Sequence, residues 1–236
     1  MKLYITRHGQ VTPKLFEGSV DFPTGDIPLS ETGQAQATCL GRELRARGFS
    51  GRIISSPYRR TMMTANLAAD ECGASIYPDG ALREMFFSDE AGEAFSGMTI
   101  DALQDLFPHI APDATLSYPW WTTEKDALPL LATRLSDFWE PILSSGLDEV
   151  LAVGHGASVF GSMYFFNKKY GFGFPTDYDE LGDFLATRNL NCNLSCIEID
   201  KDGRLLSARL FATDHLPEAL LTSNTNPRPR PAEIIL

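Results

Sequence analysis

The chain has 236 residues, the length of one large domain or of one domain with a modest insertion. Hydrophobic residues make up 43% and aromatics 11%, enough for an ordinary core, which excludes disordered, collagen-like and coiled-coil classes. With 20 Lys and Arg against 31 Asp and Glu, the net charge of −11 repels a nucleic-acid backbone over most of the surface, so any anion site must be a local basic pocket.

Leu3-Tyr4-Ile5 predicts a short strand that stops at Arg7-His8-Gly9, and the stretch reads as a strand rather than a secretory signal. A polar loop follows to about Pro28. Ser30 then suits a helix N-cap, Ala37, Leu40 and Leu44 recur at helical spacing, and Gly48 stands where a C-terminal cap would. Arg52-Ile53-Ile54-Ser55 predicts a second strand, and a second helix runs from about Tyr58 to Cys72 with Gly73 as its stop. Further β-type runs fall at Ser75-Ile76-Tyr77 and from Glu149 to Val153, the latter leading into Gly154-His155-Gly156 and a helix. Strands alternating with helices indicate a mostly parallel sheet flanked by helices, an α/β three-layer sandwich.

From about residue 86 to 147 the pattern changes to Pro-punctuated helical pieces, read as an insertion covering one edge of the sheet. Leu128, Leu131, Leu135, Phe138 and Ile142 form an apolar stripe there, and Pro141 should kink the helix or end it early. Asn193 to Ile199, a turn at Asp200-Lys201-Asp202-Gly203, and Arg204 to Phe211 predict a C-terminal β-hairpin. The main domain is taken as residues 1–223, followed by a Pro-rich extended tail of low structure from 224 to 236. No apolar run reaches the ~20 residues of a membrane helix, so the expected location is cytoplasmic. Cys39, Cys72, Cys192 and Cys196 are too scattered for a disulfide scaffold and are read as reduced structural thiols.

His8 and His155 each follow a predicted strand directly and precede a glycine, which sends both to the carboxyl ends of strands, where open α/β sheets bind ligands. Glycine at 9, 154 and 156 would let the backbone turn sharply and approach a ligand closely. Arg7 adjoins His8, and Arg59 and Arg60 open the second helix, so guanidinium groups and helix N-terminal amides gather at the same edge. In so acidic a chain this favours a phosphorylated or carboxylated substrate. A zinc site built from the two histidines and Glu84 is disfavoured by the neighbouring arginines, and no metal is expected. A neutral imidazole is a competent nucleophile near pH 7, and Glu84, beside Leu82, Met85 and Phe86, is the best-placed proton donor; its alternative is a surface carboxylate paired with Arg83.

Four segments, Thr6-Arg7-His8-Gly9, Ser55-Ser56-Pro57-Tyr58-Arg59-Arg60-Thr61, Leu82-Arg83-Glu84 and Gly154-His155-Gly156, resemble the histidine phosphatase superfamily, or phosphoglycerate mutase-like family, in order and separation. Asp26 to Gly33, Asn191-Cys192-Asn193 and Asp214-His215-Leu216 are similar to further family segments, with His215 read as structural. The resemblance spans about residues 1 to 215. It implies that His8 is the phosphorylated nucleophile, that Arg7, Arg60 and His155 form the phosphate pocket, that Glu84 donates the proton, and that no cofactor is needed. Gln10 fits the family pattern after the Arg-His-Gly triplet whereas Val11 and Lys14 depart from it, leaving Gln10, Thr12 and Lys14 as candidate anion contacts.

The basic and aromatic segment that marks cofactor-dependent mutases near the catalytic Glu is missing, and the chain reads Glu84-Met85-Phe86-Phe87-Ser88-Asp89-Glu90 instead. A phosphatase acting on a small phosphorylated metabolite is therefore the first reading. A phosphoglycerate mutase or related phosphotransferase is the second, and a non-catalytic phospho-ligand or protein-binding module the third. The expected partner is the small substrate, with no nucleic acid and no membrane, and a homodimer is left open. Phe86, Phe87, Phe95, Trp120 and Trp121 are candidates for a pocket roof, although core positions suit them better.

Overall fold

The computed structural model describes residues 1–12, 26–86, 89, 95–224 and 226–236. Its centre is strand β1 (Lys2–Arg7), in which Leu3 and Ile5 enter one hydrophobic core and Tyr4 the other, as the alternation of a strand buried on both faces requires. Strands β2 (Arg52–Ser55), β3 (Ile76–Pro78) and β4 (Glu149–Gly154) run parallel to it. Strands β5 (Leu194–Ile199) and β6 (Leu205–Ala212) form the expected antiparallel hairpin, and with the short β9 (Ile234–Ile235) the seven-stranded sheet has the order β3-β2-β4-β1-β5-β6-β9.

Three helices cover one face: α1 (Glu31–Ala46), α2 (Arg59–Cys72) and the short α3 (Ile100–Leu106). The other face carries α4 (Leu128–Leu143), α5 (Gly156–Tyr170) and α6 (Tyr178–Ala186). The caps act as their residue types predict. The Ser30 hydroxyl accepts the amide of Gly33 at 3.1 Å, and α2 ends at Gly73 with a left-handed φ of 75°.

Ile110 bridges Ile76 of the edge strand β3 in parallel, with the Ile76 amide donating to the His109 carbonyl at 2.8 Å. Leu131, Leu135, Phe138 and Ile142 are buried along α4. Pro141 does not stop that helix, which continues to Leu143, because the bond lost at a proline lies in the last turn, where it disrupts least. All four cysteines are free thiols.

The tail departs further from expectation. It is extended, but Ile234–Ile235 forms β9 on the outer edge of β6, Asn226–Pro227 (β8) pairs with Thr222–Ser223 (β7), and Arg230 donates to the carbonyls of Thr213 and Leu216. Prolines are compatible with an edge strand, whose outer amides need no partner.

The loop after β1 lies against the start of α1 with no room for side chains: a Cβ on Gly33 would sit 2.0 Å from the Gln10 carbonyl oxygen. Since that obstacle is backbone, Gly33→Ala is expected to cost about 1–3 kcal/mol, the usual range for overpacking, read as a lowered thermal midpoint. An unchanged midpoint would refute the close approach.

Candidate active site

Register brings the site together. Strand β1 pairs in parallel with β4 so that Arg7 faces Gly154, and β4 pairs with β2 so that Val153 faces Ser55. The next residues along the three strands, His8, His155 and Ser56, therefore emerge side by side at the carboxyl edge. The His8 amide donates to the Gly154 carbonyl at 2.8 Å and the Ser56 amide to that of Val153 at 2.9 Å. The two imidazole rings stand 5.3 Å apart, edge to face, with His8 4% exposed and His155 fully buried.

Hydrogen bonds fix the proton on each ring. His8 Nδ1 lies 2.7 Å from the Gly9 carbonyl oxygen, which can only accept, so Nδ1 carries the hydrogen and Nε2 keeps its lone pair. His155 Nε2 lies 2.8 Å from Ser56 Oγ, and Nδ1 is 3.7 Å from Glu84 Oε2. A lone pair at Nδ1 would face that carboxylate; the proton therefore sits on Nδ1 and the Ser56 hydroxyl donates to Nε2. Among the described residues, His155 Nδ1 and Arg7 Nε are buried donors with no partner.

Burial holds His8 well below the usual histidine range, reinforced by the Arg60 and Arg7 guanidinium groups. His155 is lowered well below it too, by burial first, then by Arg60, His8 and Arg7. Both imidazoles are neutral at pH 7. In the unfolded chain they would take up protons near pH 6.5, so the stability they contribute is lost as pH falls below that value.

Arg7 is held by the Asn189 carbonyl at 2.9 Å, by Ser223 Oγ at 3.3 Å and by Asn224 Oδ1. The Arg60 guanidinium lies 4.4 Å over the Tyr58 ring, which itself stands 4.9 Å from the His155 ring. Tyr58 belongs to a buried aromatic cluster with Phe86, Phe95 and Trp120, so these rings are core that reaches the site through Tyr58; Tyr118 is exposed, and Phe87 lies outside the described residues.

Glu84 is not paired with Arg83. Its Oε1 accepts the Ala157 amide at 3.3 Å from the first turn of α5, and its side chain remains 25% exposed rather than enclosed by Leu82, Met85 and Phe86. Arg83 instead makes a fork with Asp126, both nitrogens at 3.1 Å, and Arg134 joins the same carboxylate at 3.4 Å.

Gln10 and Thr12 brace the loop. Gln10 Oε1 accepts from Ser30 Oγ at 2.7 Å, and the Thr12 hydroxyl donates to the Leu29 carbonyl at 3.3 Å; Lys14 lies outside the described residues. The glycines serve chain packing more than ligand approach. A Cβ on Gly9 would meet the Gly33 carbonyl at 2.5 Å and one on Gly154 the Ser158 hydroxyl at 2.1 Å, whereas Gly156 has open space. Among the described residues no three His, Cys, Asp or Glu side chains are grouped to hold a metal. His215 Nε2 donates to the Cys192 carbonyl at 3.0 Å, since a carbonyl only accepts.

Sequence reasoning missed several supporting groups: Ser56 and Tyr58, although both stand in a quoted motif; Asn191, whose Nδ2 donates to the His8 carbonyl at 3.0 Å; and Asp126 and Asn224, which no local pattern marks.

Two neutral imidazoles, two guanidinium groups and a carboxyl at one sheet edge make a site suited to a tetrahedral oxyanion. The chain belongs to the histidine phosphatase superfamily (branch 1), whose family model matches residues 3–166. A curated relative, the probable phosphoglycerate mutase GpmB of Yersinia pestis, is 34% identical over 88 residues, 36% of this chain and 38% of that protein. Among solved structures, YhfR of Bacillus stearothermophilus is similar with a TM-score of 0.58 and 23% identity over 86% of this chain and 93% of that one. The ecdysone phosphate phosphatase of Bombix mori, solved with tungstate, has a TM-score of 0.65 and 16% identity over 95% and 96%.

Because Asp126 is 7% exposed and pairs with two guanidinium groups, Asp126→Asn leaves poorly exposed cations short of a partner. A loss of about 3–5 kcal/mol in denaturant unfolding is expected. A loss under about 1 kcal/mol, the range of an exposed pair, would refute this clamp.

Proposed function

We propose that the protein is a metal-independent phosphomonoesterase that works through a phosphohistidine on His8. The observation that carries the proposal is the pair of buried, unpartnered donors, Arg7 Nε and His155 Nδ1, beside a His8 whose Nε2 lone pair is free. In the first step His8 Nε2 attacks phosphorus and the P–O bond to the alcohol breaks. The Glu84 carboxyl gives its proton to the departing oxygen, while Arg7 and Arg60 neutralise the phosphoryl oxygens and neutral His155 donates a hydrogen bond to one of them. In the second step water attacks the phosphohistidine, Glu84 takes the proton back, and inorganic phosphate leaves.

A phosphoglycerate mutase is the second reading, favoured by the name of the curated relative, whose similarity covers 36% of this chain. The acidic segment after Glu84 counts against it.

Phosphate release from a panel of sugar phosphates, phosphoglycerates, nucleotides and p-nitrophenyl phosphate is expected from wild type with EDTA present. Activity should be lost by at least about a thousandfold in His8→Ala, in line with loss of a covalent nucleophile. Undiminished release by His8→Ala, or loss on chelation, would refute the proposal; interconversion of phosphoglycerates without net phosphate release would favour the mutase.

The depressed His8 gives a separate test. Because its folded value lies well below 6.5, the nucleophile stays unprotonated as pH falls through 6.5. The burst of p-nitrophenol, corrected for the ester's own ionisation, should show no loss with a midpoint near 6.5. A midpoint there would contradict the neutral, buried nucleophile.

A further inference from the structure

Beyond Glu84 lies a cavity of about 690 Å³, within the range of roughly 300–1,000 Å³ typical of small-molecule sites. Its inner end is formed by Glu84, which faces His155, and by Asn224, which holds Arg7. One wall is apolar: Met85, Leu128 and Leu131, with Phe160 from α5. The opposite wall is α6, which contributes Tyr178, Asp179 and Asp183. Asp179 and Asp183 are four residues apart and so share a helix face. Among the described residues neither is in an ion pair, and no Lys or Arg lines the cavity.

The position of Glu84 gives the cavity its use. A proton donor must lie at the leaving oxygen, so the alcohol half of the ester must extend from Glu84 away from the imidazoles, into this space. There it meets an apolar wall and two exposed carboxylates that have no ion-pair partner among the described residues. A second anion on the alcohol would be repelled by Asp179 and Asp183, whereas an ammonium group would be attracted.

We propose that this cavity is the leaving-group compartment and that it selects phosphomonoesters of a largely apolar alcohol carrying an amine, and rejects alcohols bearing a carboxylate or second phosphate. The inference rests on the phosphomonoesterase reading and adds the chemical class of the substrate. It also gives a positive reason why a phosphoglycerate, with its carboxylate, is a poor fit.

Three aryl phosphates of similar phenol acidity and shape test it: the phosphate esters of tyramine, 4-ethylphenol and 4-hydroxyphenylacetic acid. In wild type at low salt, kcat/KM should fall in that order. The two ends should differ by about tenfold, as two partly exposed carboxylates would give, and the difference should shrink in 0.5 M salt. In Asp179→Asn/Asp183→Asn the amine-to-carboxylate ratio should move toward one. The ratio is taken within one protein, so any loss of folded fraction cancels. A flat or reversed order in wild type, or a ratio unchanged in the double variant, would overturn the compartment assignment while leaving the phosphatase reading intact. No His8-dependent phosphate release from the three, with release from another ester of the panel, would overturn this inference alone; no release from any ester would overturn the phosphatase reading with it.

Discussion

The parallel pairing of β1 with β4 is the constraint on which the site depends. These strands are separated by more than a hundred residues of chain, yet the bond from the His8 amide to the Gly154 carbonyl places two histidines on adjacent strand ends. A slip of one residue would exchange the faces of Leu3 and Ile5 with that of Tyr4, moving each into the wrong core. Hydrophobic burial on both faces thus enforces the register, and the register enforces the contact between imidazoles. The antiparallel neighbour β5 closes the other side of β1, and Asn191, just before it, holds the His8 carbonyl.

The same edge explains how a chain of net charge −11 keeps an anion site. Arg7 is fixed by three acceptors, two of them from the segment after β7 begins, so its cation does not have to be ordered when an anion arrives. Its geometry is preorganised in the sense that matters for transition-state charge. Burial first, and then the two guanidinium groups, disfavour protonation of His8 and His155, so both imidazoles stay neutral beside the cations. The imidazole and guanidinium roles reinforce each other because all four groups are close and poorly solvated.

What the sequence made legible was local. Ser30, Gly48 and Gly73 marked helix ends because caps are made by residues adjacent in the chain, and β2 was bounded by its own polar flanks. Arg7, His8 and His155 were legible because strand ends in α/β sheets converge whatever the strand order. Strand order itself, the fork from Arg83 to Asp126 and the contact of Asn224 with Arg7 join residues far apart in sequence, and no single-chain pattern encodes such pairs. Ser56 stood in a visible motif, but its bond to His155 requires knowing that β2 and β4 are neighbours. The tail was misjudged for a related reason: two-residue strands carry no periodicity, and prolines mask edge pairing.

His8 and Glu84 are held by different parts of the fold, which separates their constraints. His8 directly follows the central strand; its amide donates to Gly154 at the end of β4 and its carbonyl accepts from Asn191. Glu84 is set by the Ala157 amide at the start of α5 on one side and, through Arg83, by Asp126 of the insertion on the other. The buried clamp of Asp126 with Arg83 and Arg134 ties the insertion to the backbone next to Glu84, since Arg134 also donates to the Arg83 carbonyl at 3.2 Å. Leu128 and Leu131, at the cavity wall, lie on the same helix as Arg134. The segment around Asp126 and Arg134 can therefore change what surrounds Glu84 without altering the strand register that places His8 and His155.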